Sequence, residues 1–231
     1  MNPSEIILQG LGNLSIHLSP NEYTFLKSKL NFKVAIVGDS HAKRMQRHGG
    51  IQSEVFRSEF FGRGGLTIDQ LEKEGYLQQV IEWQADIAII VIGSNDMGSH
   101  PNLDVKGSFF ANKLMNIYNI LNKNMICFMV GQGERYDGPR RDVFKEPITQ
   151  GIFHRRSSQT NGSLKNNLPR KRFISWPAEL RQSGEYYDGV HLRNYGPLND
   201  TILETLETLI NQNLYNDALI LHNQFYEMLP L

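Results

Sequence analysis

The chain has 231 residues, of which 40% are hydrophobic, and its 24 Lys plus Arg balance its 24 Asp plus Glu. That length favours one domain with a substantial core, and the balance gives no overall field for nucleic acid or a membrane surface. A single cysteine, Cys127, excludes a disulfide framework, and no Cys or His spacing suggests zinc.

Residues 1–31 read as a lead-in. Ser19, Pro20 and Glu22 form a helix start, with Ser19 as N-cap, Pro20 at the first helical position and Glu22 closing a capping box. Residues 33–37 are a short apolar run that reads as a buried strand. A helix is expected after Ser40, ending at Gly49-Gly50. A second strand is expected at 55–61, followed by the turn Gly62-Arg63-Gly64-Gly65 and a helix over 66–83 that Gly75 interrupts. The run 86–92 is the clearest buried strand and ends in Gly93-Ser94-Asn95-Asp96. A helix at 109–121, strands at 125–130 and 172–175, and a helix at 194–211 complete the alternation. Strands alternating with helices imply an α/β fold, a parallel sheet wrapped on both faces.

Two segments lie outside that alternation. Residues 131–171 are polar and read as a long basic insertion, a lid or a binding loop. Between Arg135 and Arg172 there are ten basic residues against Asp137, Asp142 and Glu146. Residues 213–231 carry apolar positions at helical spacing and read as a C-terminal helix, docked on the domain or, through 214–229, on a second copy. The expected domain is thus 32–212, between these two ends. No run approaches the roughly 18 apolar residues of a membrane span. With no signal-peptide pattern at the N-terminus, the expected compartment is the cytoplasm.

The chemistry-bearing residues fall at strand ends, where open parallel sheets bind ligands. Ser40 follows the first strand, in Gly38-Asp39-Ser40. A serine hydroxyl needs a base, an orienting group for that base, and donors for the oxyanion it creates. Asp188-Gly189-Val190-His191 supplies a carboxylate and an imidazole three residues apart. Asp-x-x-His arises by chance in about a quarter of chains this long, and Asp188 reads equally as a helix N-cap. Gly65 after the second strand and Asn95 after the third are candidate donors, although Asn95 and Asp96 could equally cap the next turn.

Taken together, these residues resemble the SGNH hydrolases, the GDSL-type esterases and lipases, over roughly 33–212. Gly38-Asp39-Ser40 looks like the family's first block, Gly65 its second, Gly93-Ser94-Asn95-Asp96 its third and Asp188-x-x-His191 its fifth. The resemblance implies a flavodoxin-like three-layer α/β/α sandwich with a five-stranded parallel sheet in the order 2-1-3-4-5. It implies Ser40 as nucleophile, His191 as base, Asp188 as orienter, and an oxyanion site of Ser40, Gly65 and Asn95. No cofactor and no metal are expected. His41 and Asp96 are expected on the pocket wall. The α/β-hydrolase elbow, which Gly38-x-Ser40-x-Ala42 partly matches, fits less well, because there the acid and histidine are normally well separated.

The expected function is therefore hydrolysis of a small-molecule carboxylic ester, with short acyl groups favoured because no long apolar lid is visible. The rival reading is a binding platform for nucleic acid or another anionic polymer at 135–172, as in a retroelement-associated esterase-like domain.

Overall fold

A computed structural model describes residues 32–51, 53, 56–137, 144–145, 147–169 and 171–210. The predicted helices at 1–31 and 213–231, and the dimer contact through 214–229, lie outside the described residues. Five parallel strands form one sheet: β1 (Phe32–Gly38), β2 (Phe56–Gly62), β3 (Ile87–Val91), β4 (Ile126–Val130) and β5 (Phe173–Ile174), in the order β2-β1-β3-β4-β5. Ile36 sits between Phe60 and Ile89, and Ile89 faces Phe128 across the next pair. The expected order and α/β architecture are those observed.

Alternation along each strand divides the core in two. Val34, Ile36, Ile89 and Phe128 pack on one face against α1 (Ser40–Arg47) and a helix over 196–210. Ala35, Val37, Ala88, Ile90 and Met129 pack on the other against α2 (Ile68–Lys73), α3 (Tyr76–Glu82) and α5 (Gly107–Leu121). A short α4 (Ser94–Ser99) follows β3. Among the described residues no helix is long and apolar enough to cross a membrane.

The interruption expected at Gly75 within 66–83 is observed: the helix breaks at Glu74-Gly75 into α2 and α3. Gly75 has φ 78°, a left-handed conformation that glycine adopts at little cost, and it becomes the N-cap of α3.

A difference lies within 131–171, read from sequence as a loop. An 18-residue helix, α6 (Gln150–Asn167), occupies it, capped by the Thr149 side chain on the Ile152 N–H. Its buried face is Phe153, Arg156, Ser157, Thr160 and Leu164. The spacing is helical, but three of these five residues are polar, so hydrophobic periodicity does not reveal it. Arg156 is fully buried. Its guanidinium donates to the carbonyls of Met97 (2.7 Å), His100 (3.3 Å) and Asn102 (2.6 Å). Thr160 donates to the carbonyl of Gly107 (3.0 Å). Any side chain at Gly107 would place Cβ 2.4 Å from Gln159 Cβ, so glycine lets α5 start directly against α6.

Arg156 thus serves as an internal bracket between α6 and the chain that leaves α4. Arg156→Ala removes three charge-assisted bonds and strands their acceptors. The expected cost is about 3 kcal/mol, read as a lowered urea midpoint. A change under about 1 kcal/mol would remove this role.

Candidate active site

Three strand ends converge at the carboxyl edge of the sheet. Gly38 makes that possible: a Cβ there would lie 1.9 Å from the Val91 carbonyl oxygen. The backbone of β1 therefore runs unhindered against β3, and Asp39 N–H donates to Val91 O at 3.2 Å. Ser40 opens α1, whose N-cap is Asp39, with Asp39 Oδ1 accepting from His41 N–H at 2.9 Å.

The loop after a 3-10 turn at Ser183–Glu185 brings the acid and base to Ser40. Asp188 Oδ1 accepts from the N–H groups of Val190 (3.0 Å) and His191 (2.7 Å). Gly189 at φ 81° lets the chain turn back on the carboxylate. Asp188 Oδ2 then faces His191 Nδ1 at 2.8 Å, and His191 Nε2 lies 3.0 Å from Ser40 Oγ. Burial raises the proton affinity of Asp188. The His191 ring and the two N–H donors outweigh it and hold the carboxyl well below its usual range. An ionised Asp188 favours the tautomer with its proton on Nδ1, which leaves Nε2 to accept from Ser40.

Asn95 lies in the first turn of α4 and its amide is fixed at both ends. Nδ2 donates to Leu66 O at 3.0 Å, and Oδ1 accepts from Arg135 Nη2 at 2.8 Å. Arg135 also donates to Ser94 Oγ at 3.0 Å. Its guanidinium fits because residue 98 is glycine: a Cβ there would sit 2.6 Å from Arg135 Nη1. In sequence Arg135 belongs to the basic segment 135–172; in the structure it is buried behind Asn95. No motif marks it. Its only signal is its place in the loop after β4, another strand end.

Ser40, Gly64, Gly65, Asn95, Arg135 and His191 all line one cleft of about 470 Å³. Gly65 has φ 74°. His41 and Asp96, expected on the wall, do not line it. His41 is buried beneath the cleft, with Nδ1 2.9 Å from the Tyr195 hydroxyl and its ring edge-on to Trp176 and tilted against His191. Burial, with nearby His191, Arg135 and Arg44, keeps its imidazole well below the usual range, so it is neutral. As the second residue of α1, His41 points away from the cleft that Ser40 faces. Asp96 turns to α2, where both oxygens accept from Ile68 N–H (3.2 and 3.1 Å). Burial still pushes its carboxyl up to about 6.

No family model and no curated protein sequence matches this chain. Solved structures do. A Bacteroides fragilis protein assigned as an acylhydrolase aligns with TM-score 0.55 at 16% identity, covering 85% of this chain and 97% of that one. A GDSL-like lipase from Bacteroides thetaiotaomicron aligns at 0.55 and 15%, covering 91% and 98%. An acetyl xylan esterase aligns at 0.52 and 16%, covering 77% and 99%. The chain has the fold of the SGNH, or GDSL-type, hydrolases.

The Asp39 carboxyl is buried beneath this site. Burial pushes it up to about 7, against the pull of His41 N–H and of Arg135. A carboxyl raised in the folded state contributes stability below about pH 4 that is lost as pH rises to about 7. Asp39→Asn keeps a capping oxygen and removes the charge. The variant is expected to gain on the order of 1–3 kcal/mol over wild type near pH 8, with the gain shrinking toward pH 4. Parallel thermal melts across that range check it. A pH-independent difference would contradict the assignment.

Proposed function

We propose that this protein is a serine esterase that hydrolyses carboxylic esters of short acyl groups through an acyl-enzyme. The observation that carries this reading is the unbroken hydrogen-bonded line Ser40–His191–Asp188, opening into a cleft that Gly65 and Asn95 also line. Ser40 Oγ attacks the ester carbonyl while His191 Nε2 takes its proton. Asp188 holds the ring and stabilises the imidazolium that forms. The oxyanion is met by the N–H groups of Ser40 and Gly65 and by the second Nδ2 hydrogen of Asn95, the first being committed to Leu66. His191 gives the proton to the leaving alcohol, then takes one from the water that attacks the acyl carbon; the bond from that carbon to Ser40 Oγ breaks, the acid leaves, and His191 passes the proton to Oγ.

Short acyl groups are favoured by the cleft itself, which is lined by glycines and polar residues, with Val190 as its one large aliphatic side chain among the described residues. The acetyl xylan esterase among the structural neighbours supports the same size class. The rival reading, an anionic-polymer platform at 135–172, is weakened by where three of its seven arginines go. Arg135 and Arg156 are buried, and Arg172 lies over the Phe128 ring at 5.0 Å.

Ser40→Ala is expected to lower turnover of 4-nitrophenyl acetate on the order of a million-fold. Full retention of activity would end the assignment. Asn95→Ala should cost on the order of a hundred- to a thousand-fold. Arg135 acts through Asn95 as a positioning residue. Arg135→Gln should lower kcat about tenfold or more with little change in KM, and Arg135→Lys should restore part of it. Equal losses in both variants with a lowered melting temperature would assign Arg135 a structural role only.

A further inference from the structure

The cleft carries more positive charge than a neutral ester needs. Arg44, Arg135 and Lys145 all line it, and among the described residues no carboxylate does. This is a local feature, because the chain as a whole has no net charge. Two of the three cations have independent reasons for standing where they do. Arg44 lies four residues after Ser40 on α1, hence on the same helix face, one turn behind the nucleophile. Its guanidinium sits 5.3 Å over the Tyr187 ring, and that ring stacks on His191 at 6.0 Å and 21°. Arg44, Tyr187 and His191 thus form one stack on the base side of the cleft. Lys145 stands on the opposite, oxyanion side: its N–H donates to Gly98 O at 3.2 Å, three residues beyond Asn95, and its side chain is exposed.

Arg135 is occupied by Ser94 and Asn95 and contributes field rather than contact. Arg44 and Lys145 are different, because among the described residues neither forms an ion pair with a carboxylate. A guanidinium resting on an aromatic face keeps its in-plane N–H donors for a carboxylate or phosphate. A neutral substrate would cover these cations without replacing their hydration. An anionic one gains charge-assisted hydrogen bonds and is steered into the cleft.

We propose that the substrate is an anionic ester, one that carries a carboxylate or similar acidic group close to the scissile bond, and that Arg44 and Lys145 recognise that charge. This inference rests on the esterase reading above and narrows its substrate class.

The test compares three esters: neutral 4-nitrophenyl acetate, 3-carboxy-4-nitrophenyl acetate with the charge on the alcohol, and mono-4-nitrophenyl succinate with the charge on the acyl group. Each kcat/KM is normalised to the hydroxide-catalysed rate of the same ester. At least one anionic ester is expected to exceed the neutral one about tenfold, and the better of the two tells which side the charge occupies. That ratio should fall about fivefold or more in Arg44→Gln/Lys145→Gln, and should also fall as salt is raised. A ratio at or below one for both anionic esters, or a preference unchanged in the double variant, overturns the proposal and leaves the esterase standing.

Binding to the Ser40→Ala protein separates the two failures. Calorimetry with monomethyl succinate and with neutral methyl propionate needs no turnover. Tighter binding of the acid, lost when Arg44→Gln and Lys145→Gln are added to Ser40→Ala, supports the anion site even where no ester is turned over. Equal binding overturns it.

Discussion

The whole arrangement depends on how closely β1 approaches its neighbours at one end of the sheet. At Gly38 a Cβ would overlap the Val91 carbonyl oxygen at 1.9 Å, and at Gly62 another would meet Gly38 O at 1.9 Å. Two glycines therefore allow three strands to end side by side, at the point where the strand order reverses. In an open parallel sheet that is where the loops diverge and leave a crevice. The residues that follow, Ser40 after β1, Gly64 and Gly65 after β2 and Asn95 after β3, meet there because their strands cannot be separated. The site is a consequence of register first and of side-chain chemistry second.

Around that edge the chain uses arginine as a structural clamp. Arg156 gathers three carbonyls from the chain running out of α4, and Arg135 grips Ser94 and Asn95 in the first turn of that helix. A six-residue helix has little stability of its own, since a single turn fixes many dihedral angles for few hydrogen bonds. Two guanidiniums, one at each end, supply what α4 lacks. Glycine at 98 is the complement of this device, because only a residue without Cβ leaves room for the Arg135 head group.

These clamps also explain which parts of the structure were legible in the sequence. The central strands β1, β3 and β4 were, because each is built on a continuous apolar run covered on both faces; the edge strands show it less, β2 carrying Arg57, Ser58 and Glu59 between its phenylalanines and β5 being two residues long. The serine, glycine, asparagine and Asp-x-x-His positions were, because each stands at a strand end or beside the last sheet-packing helix. Helix α6 was not, since its inward face presents Arg156, Ser157 and Thr160 where the pattern requires Leu or Val. Arg135 was hidden for the same reason: a basic residue in a basic segment reads as surface. His41 and Asp96 show a different limit. Their proximity in sequence to Ser40 and Asn95 suggested a place on the wall, but the next residue along a helix points about 100° away. His41 turns to Tyr195 and Trp176, and Asp96 to the start of α2.

That outward and downward division gives the site two layers of different polarity. Above the sheet edge, Ser40 and His191 face an open cleft with cations on both sides. Below it, Asp39, His41, Tyr195 and Trp176 are packed out of water, and one Asp39 oxygen has no hydrogen-bond partner among the described residues. Burying an ionisable carboxyl without full pairing is destabilising, yet here it caps the helix that begins with Ser40. A shorter or apolar residue at 39 would relieve the burial and release the first turn of α1. Ser40 would then keep the strand bond to Val91 and the packing of α1 through Ala42 and Met45, but lose the cap that fixes its first turn. The fold accepts a poorly solvated acid because rigidity at Ser40 keeps the 3.0 Å contact with His191 in place.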